Sequence, residues 1–429
     1  MNWSFFNNVT YCVLHGWNKL PEPPSSDLDI VVIPKDLPIL AELLSRMKEA
    51  RLINLLQHES TSYYFILAMI NHNEIAFLPI DAAVDYRRDG RVWFSADELL
   101  ADRRKRGDFW IAAPAVEFKY LLTKKLLKLS MPFRTAMRLQ ELAEDLGRDA
   151  EEVSCGMLGR SWGPRVFSWI KNGDWKELEA SLPALKKALK FERFKRDPLN
   201  PLRYWLPELW RRWMRWRKPT GLWVAVMGLD GSGKTTVLRA IQSDLARAFR
   251  RTEVFHFRPT KGRGGSSVSD PHALPPRHLT LSLAKLGFYI VDYIFSYVFK
   301  IRPALVRSTL VLFDRYYHDV LVDPKRYRYG GPQLFSKLIE YFVPKPDLFI
   351  FLDLPAEVAH DRKPEVPLEE ARRLRRRYLE LARSMPNAHV VDASKPLDEV
   401  ARDVERIILD YMAERTKKRL LGMKLGPKK

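Results

Sequence analysis

Over residues 1 to about 113, short apolar runs alternate with polar turns: Tyr11–Leu14, Ile30–Ile33, Ser62–Met69 and Ile75–Ile80, with a helical stretch near Leu37–Leu56. That alternation predicts a small α/β unit. From about 114 to 200 the period becomes helical, with Phe118, Leu121, Leu122 and Leu126 recurring on one face, and Leu139, Leu142 and Leu146 on another. At 221 the pattern restarts. Leu222–Met227 reads as a strand, Thr236–Ile241 as the opening of a helix, and Val400, Val404, Ile407 and Ile408 as a last helical face. Leu310–Phe313 and Leu348–Leu352 are continuous apolar runs, as strands buried on both faces of a parallel sheet require. The expected organisation is an α/β domain over 1–113, a helical connector over 114–220 and a larger α/β domain over 221–429.

Two stretches add to that pattern. Leu202, Trp205, Leu206, Leu209, Trp210, Trp213 and Trp216 fall on one side of a helix that also carries Arg203, Arg211, Arg212, Arg215 and Arg217. A basic, tryptophan-bearing amphipathic helix can lie on an anionic membrane. A linker helix packed between domains is the commoner use, and it is the expectation. Leu286–Phe299, flanked by Lys285 and Lys300 and interrupted by Asp292, is shorter than the roughly 20 residues of a spanning helix and is expected to be a buried core helix.

Composition narrows the class. The chain has 429 residues, too many for one ordinary core, and two cysteines, Cys12 and Cys155, without metal-ligand spacing. A disulfide framework is excluded as the organising principle, and with no basic leader at Met1–Phe6 the expected home is the cytoplasm. Lys and Arg exceed Asp and Glu by 20, which points to anionic partners: nucleotides, nucleic acid or anionic lipid.

The candidate chemistry centres on Gly228-Leu229-Asp230-Gly231-Ser232-Gly233-Lys234-Thr235-Thr236, placed between the strand and the helix. Glycines there let successive backbone N–H groups face one concavity, to which the helix N-terminus adds partial positive charge. Gly228, Asp230, Gly231, Ser232, Gly233, Lys234, Thr235 and Thr236 are therefore the expected triphosphate-binding residues. Lys234 would reach the β- and γ-phosphates, and the Thr235 hydroxyl would face Mg²⁺. Asp314, at the end of Leu310–Phe313, is placed to serve the same metal, with Arg315 beside it to hold a second phosphate. Asp353 ends the next strand, where an N-cap or turn role competes with a functional one.

Residues 221–429 resemble thymidylate kinases, through the phosphate loop, Ile301-Arg302-Pro303-Ala304-Leu305, Asp314-Arg315-Tyr316, and Leu352-Asp353-Leu354-Pro355-Ala356-Glu357-Val358-Ala359. The resemblance implies a P-loop NTPase fold with a helix-flanked parallel sheet, ATP and Mg²⁺ as cofactors, and a phosphorylated acceptor. It gives Asp314 to the metal and Arg315 to the acceptor phosphate. Arg362 takes the place of the family's lid arginine, and Leu286–Phe299 that of a helix packing between subunits of a homodimer. The departures concern the acceptor. Where the family reads thymine with an arginine and a glutamine, this chain has Tyr293 and Phe295. Phe257-Arg258-Pro259 stands for the acceptor-side Glu-Pro-Gly loop, and Tyr329-Gly330-Gly331 for the Tyr-Gln-Gly element. A site stripped of base-reading groups should reject thymidylate.

In the N-terminal part, Asp27 and Asp29 alternate in an extended segment and so share one side, and Asp81 ends the later run Phe77–Ile80. Three carboxylates on one sheet face could hold Mg²⁺ for nucleotidyl transfer. Residues 10 to about 100 resemble the polymerase-β-type nucleotidyltransferase fold, with Gly16-Trp17 in place of that family's Gly-Ser pair. The expected function is an ATP-dependent phosphotransferase acting on a phosphorylated small molecule other than thymidylate. The alternatives are an ATP-binding sensor or scaffold module, and a nucleotidyltransferase working through Asp27, Asp29 and Asp81.

Overall fold

The computed structural model describes residues 6, 8–17, 28–70, 75–259, 272 and 274–422. They fall into two compact units: 1–213 together with 416–429, and 214–415.

The first unit is built on strands β1 (Tyr11–Val13), β2 (Leu28–Val32), β3 (Arg51–Glu59), β4 (Ser62–Ile70), β5 (Ile75–Ala83), β6 (Asp85–Arg88), β7 (Arg91–Ser95), β8 (Arg104–Arg106) and β9 (Phe109–Ile111). Seven form one mixed sheet in the order β3-β4-β5-β2-β1-β9-β8, and β6 pairs with β7 apart from it. β2 and β5 run parallel in a register that sets Asp29 beside Asp81. Because side chains alternate along a strand, Ile30, Ile80 and Ala82 enter one core while the two aspartates take the opposite face. That opposite face is where the helices begin.

Helices Pro114–Lys128, Phe133–Leu146, Arg148–Asn172 and Trp175–Arg196 follow. Their Phe118, Leu122, Leu139, Leu158, Ile170 and Leu185 share one core cluster with Cys12, Leu14 and Val31 of the sheet. The stretch expected as a connector is thus part of the first unit's body: helices with one apolar stripe each must bury it, and the sheet supplies the surface.

The second unit holds β10 (Leu222–Gly228), β11 (Arg251–His256), β12 (Thr309–Asp314), β13 (Leu348–Asp353) and β14 (Ala388–Asp392). All five are parallel, in the order β11-β12-β10-β13-β14. This is the helix-flanked parallel sheet the sequence predicts. β10 is buried along its whole length, with β12 on one side and β13 on the other. The chain therefore changes direction across the sheet at β10, and the carboxyl ends of β10 and β12 form the crevice where ligands bind in open α/β sheets.

Two helices depart from expectation. In Leu279–Ser296, Leu286, Tyr289 and Tyr293 turn inward, but Phe288, Val291, Ile294 and Phe295 are exposed, as are Val298 and Phe299 just beyond it. The segment is not a buried core helix; Leu279–Val306 is long and apolar enough to cross a membrane by length and composition, with 33% of its apolar window buried. The helix Asn200–Arg217 is likewise not packed through its apolar side. Its buried residues are Asn200, Tyr204 and Glu208, while its leucines and tryptophans are exposed.

Candidate phosphate-loop active site

The loop after β10 owes its path to three glycines in the left-handed half of backbone space: Gly228 at φ 144°, Gly231 at 83° and Gly233 at 83°. Two are also needed for close approach. A Cβ on Gly228 would stand 2.6 Å from the Leu352 carbonyl oxygen, and one on Gly231 2.7 Å from that of Ala359. The helix Lys234–Asp244 starts directly behind them. Its first turn presents Thr235 and Thr236, so the loop amides and the helix N-terminus face the same concavity.

Lys234 is buried, and its Nζ donates to the carbonyl oxygens of Gly228 at 3.0 Å and Leu229 at 2.7 Å. Burial pushes its ammonium down to about 8; the Arg315 charge adds to this, and Asp230 and Asp314 oppose it. The lysine is thus held against its own loop. Ser232 Oγ is buried with no hydrogen-bond partner among the described residues.

Asp314 closes β12 opposite Val226 of β10 and His256 of β11. Its Oδ2 accepts from the Thr235 hydroxyl at 3.0 Å and has His256 Nδ1 at 3.5 Å. Its Oδ1 is buried and without a hydrogen-bond partner among the described residues. Burial would raise this carboxyl, yet His256 beside it and the charges of Lys234 and Arg315 bring it down to about 2. A buried carboxylate oxygen left open beside a threonine hydroxyl fits a hard cation. Mg²⁺ takes one or two such protein oxygens and completes its shell from phosphates and water.

Arg315, at φ 69°, sits in the same left-handed region without being glycine, its N–H donating to the Val226 carbonyl at 3.0 Å. Its guanidinium is sealed between carboxylates: Asp319 at 2.5 Å and Asp230 of the loop. Arg326 pairs with the other oxygen of Asp230 and with Glu365 at 3.2 Å. Tyr327 and Tyr378 donate to Asp319 at 2.9 and 2.6 Å. Arg315, expected to hold the acceptor phosphate, is instead paired here with Asp319 and with Asp230 of the loop, both sides of its fork engaged. Arg362, on the helix Ala356–Arg362, is exposed and donates to the Gly231 carbonyl at 3.5 Å. Asp353 is held by Arg375 through two hydrogen bonds of 2.6 and 2.9 Å, a structural pairing.

Sequence reasoning missed Asp319, Arg326, Tyr327, Glu365 and His256. The alternation of basic and aromatic residues in Lys325–Tyr329 was the signal for two of them. Tyr329-Gly330-Gly331, by contrast, packs away from the loop. Gly330 donates its N–H to Ser282 Oγ at 3.1 Å, and a Cβ there would meet the Arg277 carbonyl at 2.3 Å.

On the acceptor side, Tyr293 is fully buried and its hydroxyl donates to the Phe257 carbonyl. Phe257, at φ 56°, stacks on Tyr327 at 4.4 Å, and Tyr293 meets Tyr316 edge to face at 4.9 Å. Phe295, expected beside Tyr293, is exposed on the opposite side of its helix and takes no part. Residues two apart on a helix cannot share a face.

The N-terminal carboxylates have different company. Asp27 lies outside the described residues. Asp29 Oδ2 is bound by His15 Nε2 and Lys124 Nζ, each at 2.8 Å. Burial would raise its carboxyl; the hydrogen bond from His15 and the Lys124 charge carry it well below the usual range. Asp81 Oδ1 accepts from Ser62 at 2.8 Å. Among the described residues no group of three or more His, Cys, Asp or Glu is arranged to hold a metal ion. Trp17, which replaces the expected serine, has the guanidinium of Arg106 over its ring at 4.2 Å.

Comparison with known proteins bears on the second unit. Residues 226–404 match the family model described as Thymidylate kinase. A thymidylate kinase of Xanthomonas euvesicatoria pv. vesicatoria is 32% identical over 209 residues, covering 46% of this chain and 88% of that protein. A thymidylate kinase of Xanthomonas oryzae pv. oryzae is 31% identical over 207 residues, 46% of this chain and 87% of the relative. A probable thymidylate kinase of Archaeoglobus fulgidus is 31% identical over 197 residues, 44% of this chain and 95% of the relative.

Proposed function

The chain belongs to the thymidylate kinase family through residues 226–404 and so carries a nucleotide kinase domain, and from that premise we propose that it transfers the γ-phosphoryl group of Mg-ATP to a nucleoside-monophosphate-like acceptor other than thymidylate. The observation that carries the proposal is Asp314: a buried carboxylate, 3.0 Å from the Thr235 hydroxyl, whose second oxygen has no hydrogen-bond partner among the described residues. In this reading Lys234 leaves the Gly228 and Leu229 carbonyls for the β- and γ-phosphates, while the amides of Gly231 to Thr236 hold the remaining oxygens. Mg²⁺, carried by Thr235 and Asp314, would neutralise charge on the phosphate oxygens. Arg362, already against Gly231, is positioned to meet charge developing on the transferred group. Arg315 exchanges a carboxylate partner for the acceptor phosphate.

The acceptor assignment is supported by Tyr293. A phenol whose proton is donated to the Phe257 carbonyl has no donor left for a base carbonyl, and its partner position, Phe295, faces away. The reading takes the protein as cytoplasmic. It also takes it as a homodimer, joined through the exposed Phe288, Val291 and Phe295 face.

Nucleotidyl transfer at the N-terminal carboxylates is a second reading, favoured by the register that sets Asp29 beside Asp81 and opposed by the His15 ring nitrogen and the Lys124 ammonium already on Asp29. The test is incubation with γ-labelled ATP, Mg²⁺ and a panel of nucleoside and sugar monophosphates, with Lys234→Ala alongside. Label on one acceptor other than thymidylate, lost in the variant, is expected. ATP binding without transfer to any acceptor would replace the proposal with a sensor module. Label on thymidylate before all others would overturn the acceptor assignment.

A further inference from the structure

The helix Asn200–Arg217 is docked inside out. Its polar residues Asn200, Tyr204, Glu208 and Arg211 recur at helical spacing on the side that meets the first unit. Each is held there. The Asn200 amide accepts from the Val92 N–H and donates to the Val92 carbonyl, both at 2.9 Å. Arg211 donates to the Gln57 carbonyl at 2.8 Å and to Glu208 at 3.0 Å, and the Tyr204 hydroxyl lies 3.5 Å from Glu59. Polar, geometrically specific contacts thus fix the rotation of the helix about its axis. The consequence is a continuous apolar surface made of Leu202, Trp205, Leu206, Leu209, Trp210 and Trp213, each 43–66% exposed.

A soluble helix places such a stripe inward. We propose that this face docks on an anionic phospholipid bilayer, with the helix lying in the plane of the interface. Three observations select that occupant. Three of the six residues are tryptophans, whose indoles combine an apolar body with a polar N–H and are suited to the headgroup boundary. Arg203 and Arg212 are exposed at the same helix, and the Arg212 guanidinium stands 5.3 Å over the Trp205 ring, where its stem and charge extend alongside the apolar surface. The whole chain carries a formal charge of +20. A second copy seated on this face would bring like charges together, whereas an anionic surface neutralises them.

The experiment uses the full chain in flotation with large unilamellar vesicles, one set of phosphatidylcholine alone and one with added phosphatidylglycerol. Partition into the anionic vesicles is expected to be at least about tenfold stronger and to weaken as KCl rises from about 0.05 to about 0.5 M. Leu206→Glu with Trp210→Glu, both at solvent-exposed positions, should lower it at least about tenfold while ATP affinity and the melting temperature hold. Arg212→Gln should cost about fivefold, the contribution of one interfacial cation. Equal partition into both vesicle types would overturn the proposal, as would a Leu206/Trp210 variant that floats like the parent. So would a dimer that the double variant dissolves while no form of the protein floats.

Discussion

Asp314 and Asp29 read alike in sequence, since each is an acid on a strand and each invites a metal assignment. In the fold their neighbours separate them. Among the described residues, Asp314 keeps one buried oxygen without a partner and turns the other to a threonine hydroxyl, which leaves a position that suits a cation. Asp29 finds His15 and Lys124 on the same oxygen and is compensated from within. A carboxylate becomes a cation site through what is missing around it. An isolated buried charge is costly, so an acid that folding leaves incompletely partnered marks a ligand position better than an acid alone.

The contrast can be broken most forcefully at the loop. Lys234→Ala should lower phosphoryl transfer by at least about a thousandfold in steady-state assays, since the charge that follows the phosphate is lost. Asp29→Asn should leave that rate within about twofold. Asp314→Asn keeps an oxygen for the Thr235 hydroxyl but removes the charge. A fall of about a hundredfold in kcat is expected, with a higher Mg²⁺ requirement.

Stability should show the reverse pattern. Asp29→Asn strands His15 and Lys124 and should cost about 1–3 kcal/mol in urea unfolding of the first unit at pH 7. The Asp29 carboxyl is held below its ordinary 3.8, so its contribution is present above that pH and fades as pH falls through the depressed value. The variant and the parent should therefore converge in strong acid. The smallest effect is expected at Glu59. Burial first, then Glu208 and Asp85, lift its carboxyl from 4.5 to about 7, so the folded state holds a proton that the unfolded chain has lost. Stability then declines between those two values as pH rises, and Glu59→Gln should stabilise by about 1 kcal/mol at pH 8 and have no effect at pH 4.

Much of the second unit was legible in the chain. The glycine spacing required a tight turn, and the uninterrupted apolar runs at 222, 310 and 348 required a sheet covered on both faces, so the loop, Asp314 and three of the five strands follow from local patterns, while the strand order is set only by the tertiary fold. The ion cluster around Asp230 was not legible. Arg326 and Glu365 lie 96 and 39 residues from their partners Asp230 and Arg326, and only the tertiary fold sets them side by side. Phe295 failed for a geometric reason, as spacing in sequence was carried over without the turn of the helix. The helix Asn200–Arg217 was read correctly as amphipathic and assigned the wrong orientation, because a few buried polar contacts at Asn200 and Glu208 outweigh the tendency of the tryptophan face to turn inward.

The difference between the two acids is tested most directly by Mn²⁺ titration with ATP, followed by electron paramagnetic resonance, on the parent, Asp314→Asn and Asp29→Asn proteins. The parent and Asp29→Asn should bind Mn-ATP alike, and Asp314→Asn should lose at least about tenfold in Mn²⁺ affinity. Loss in Asp29→Asn with full retention in Asp314→Asn would contradict the account and move the metal to the N-terminal carboxylates.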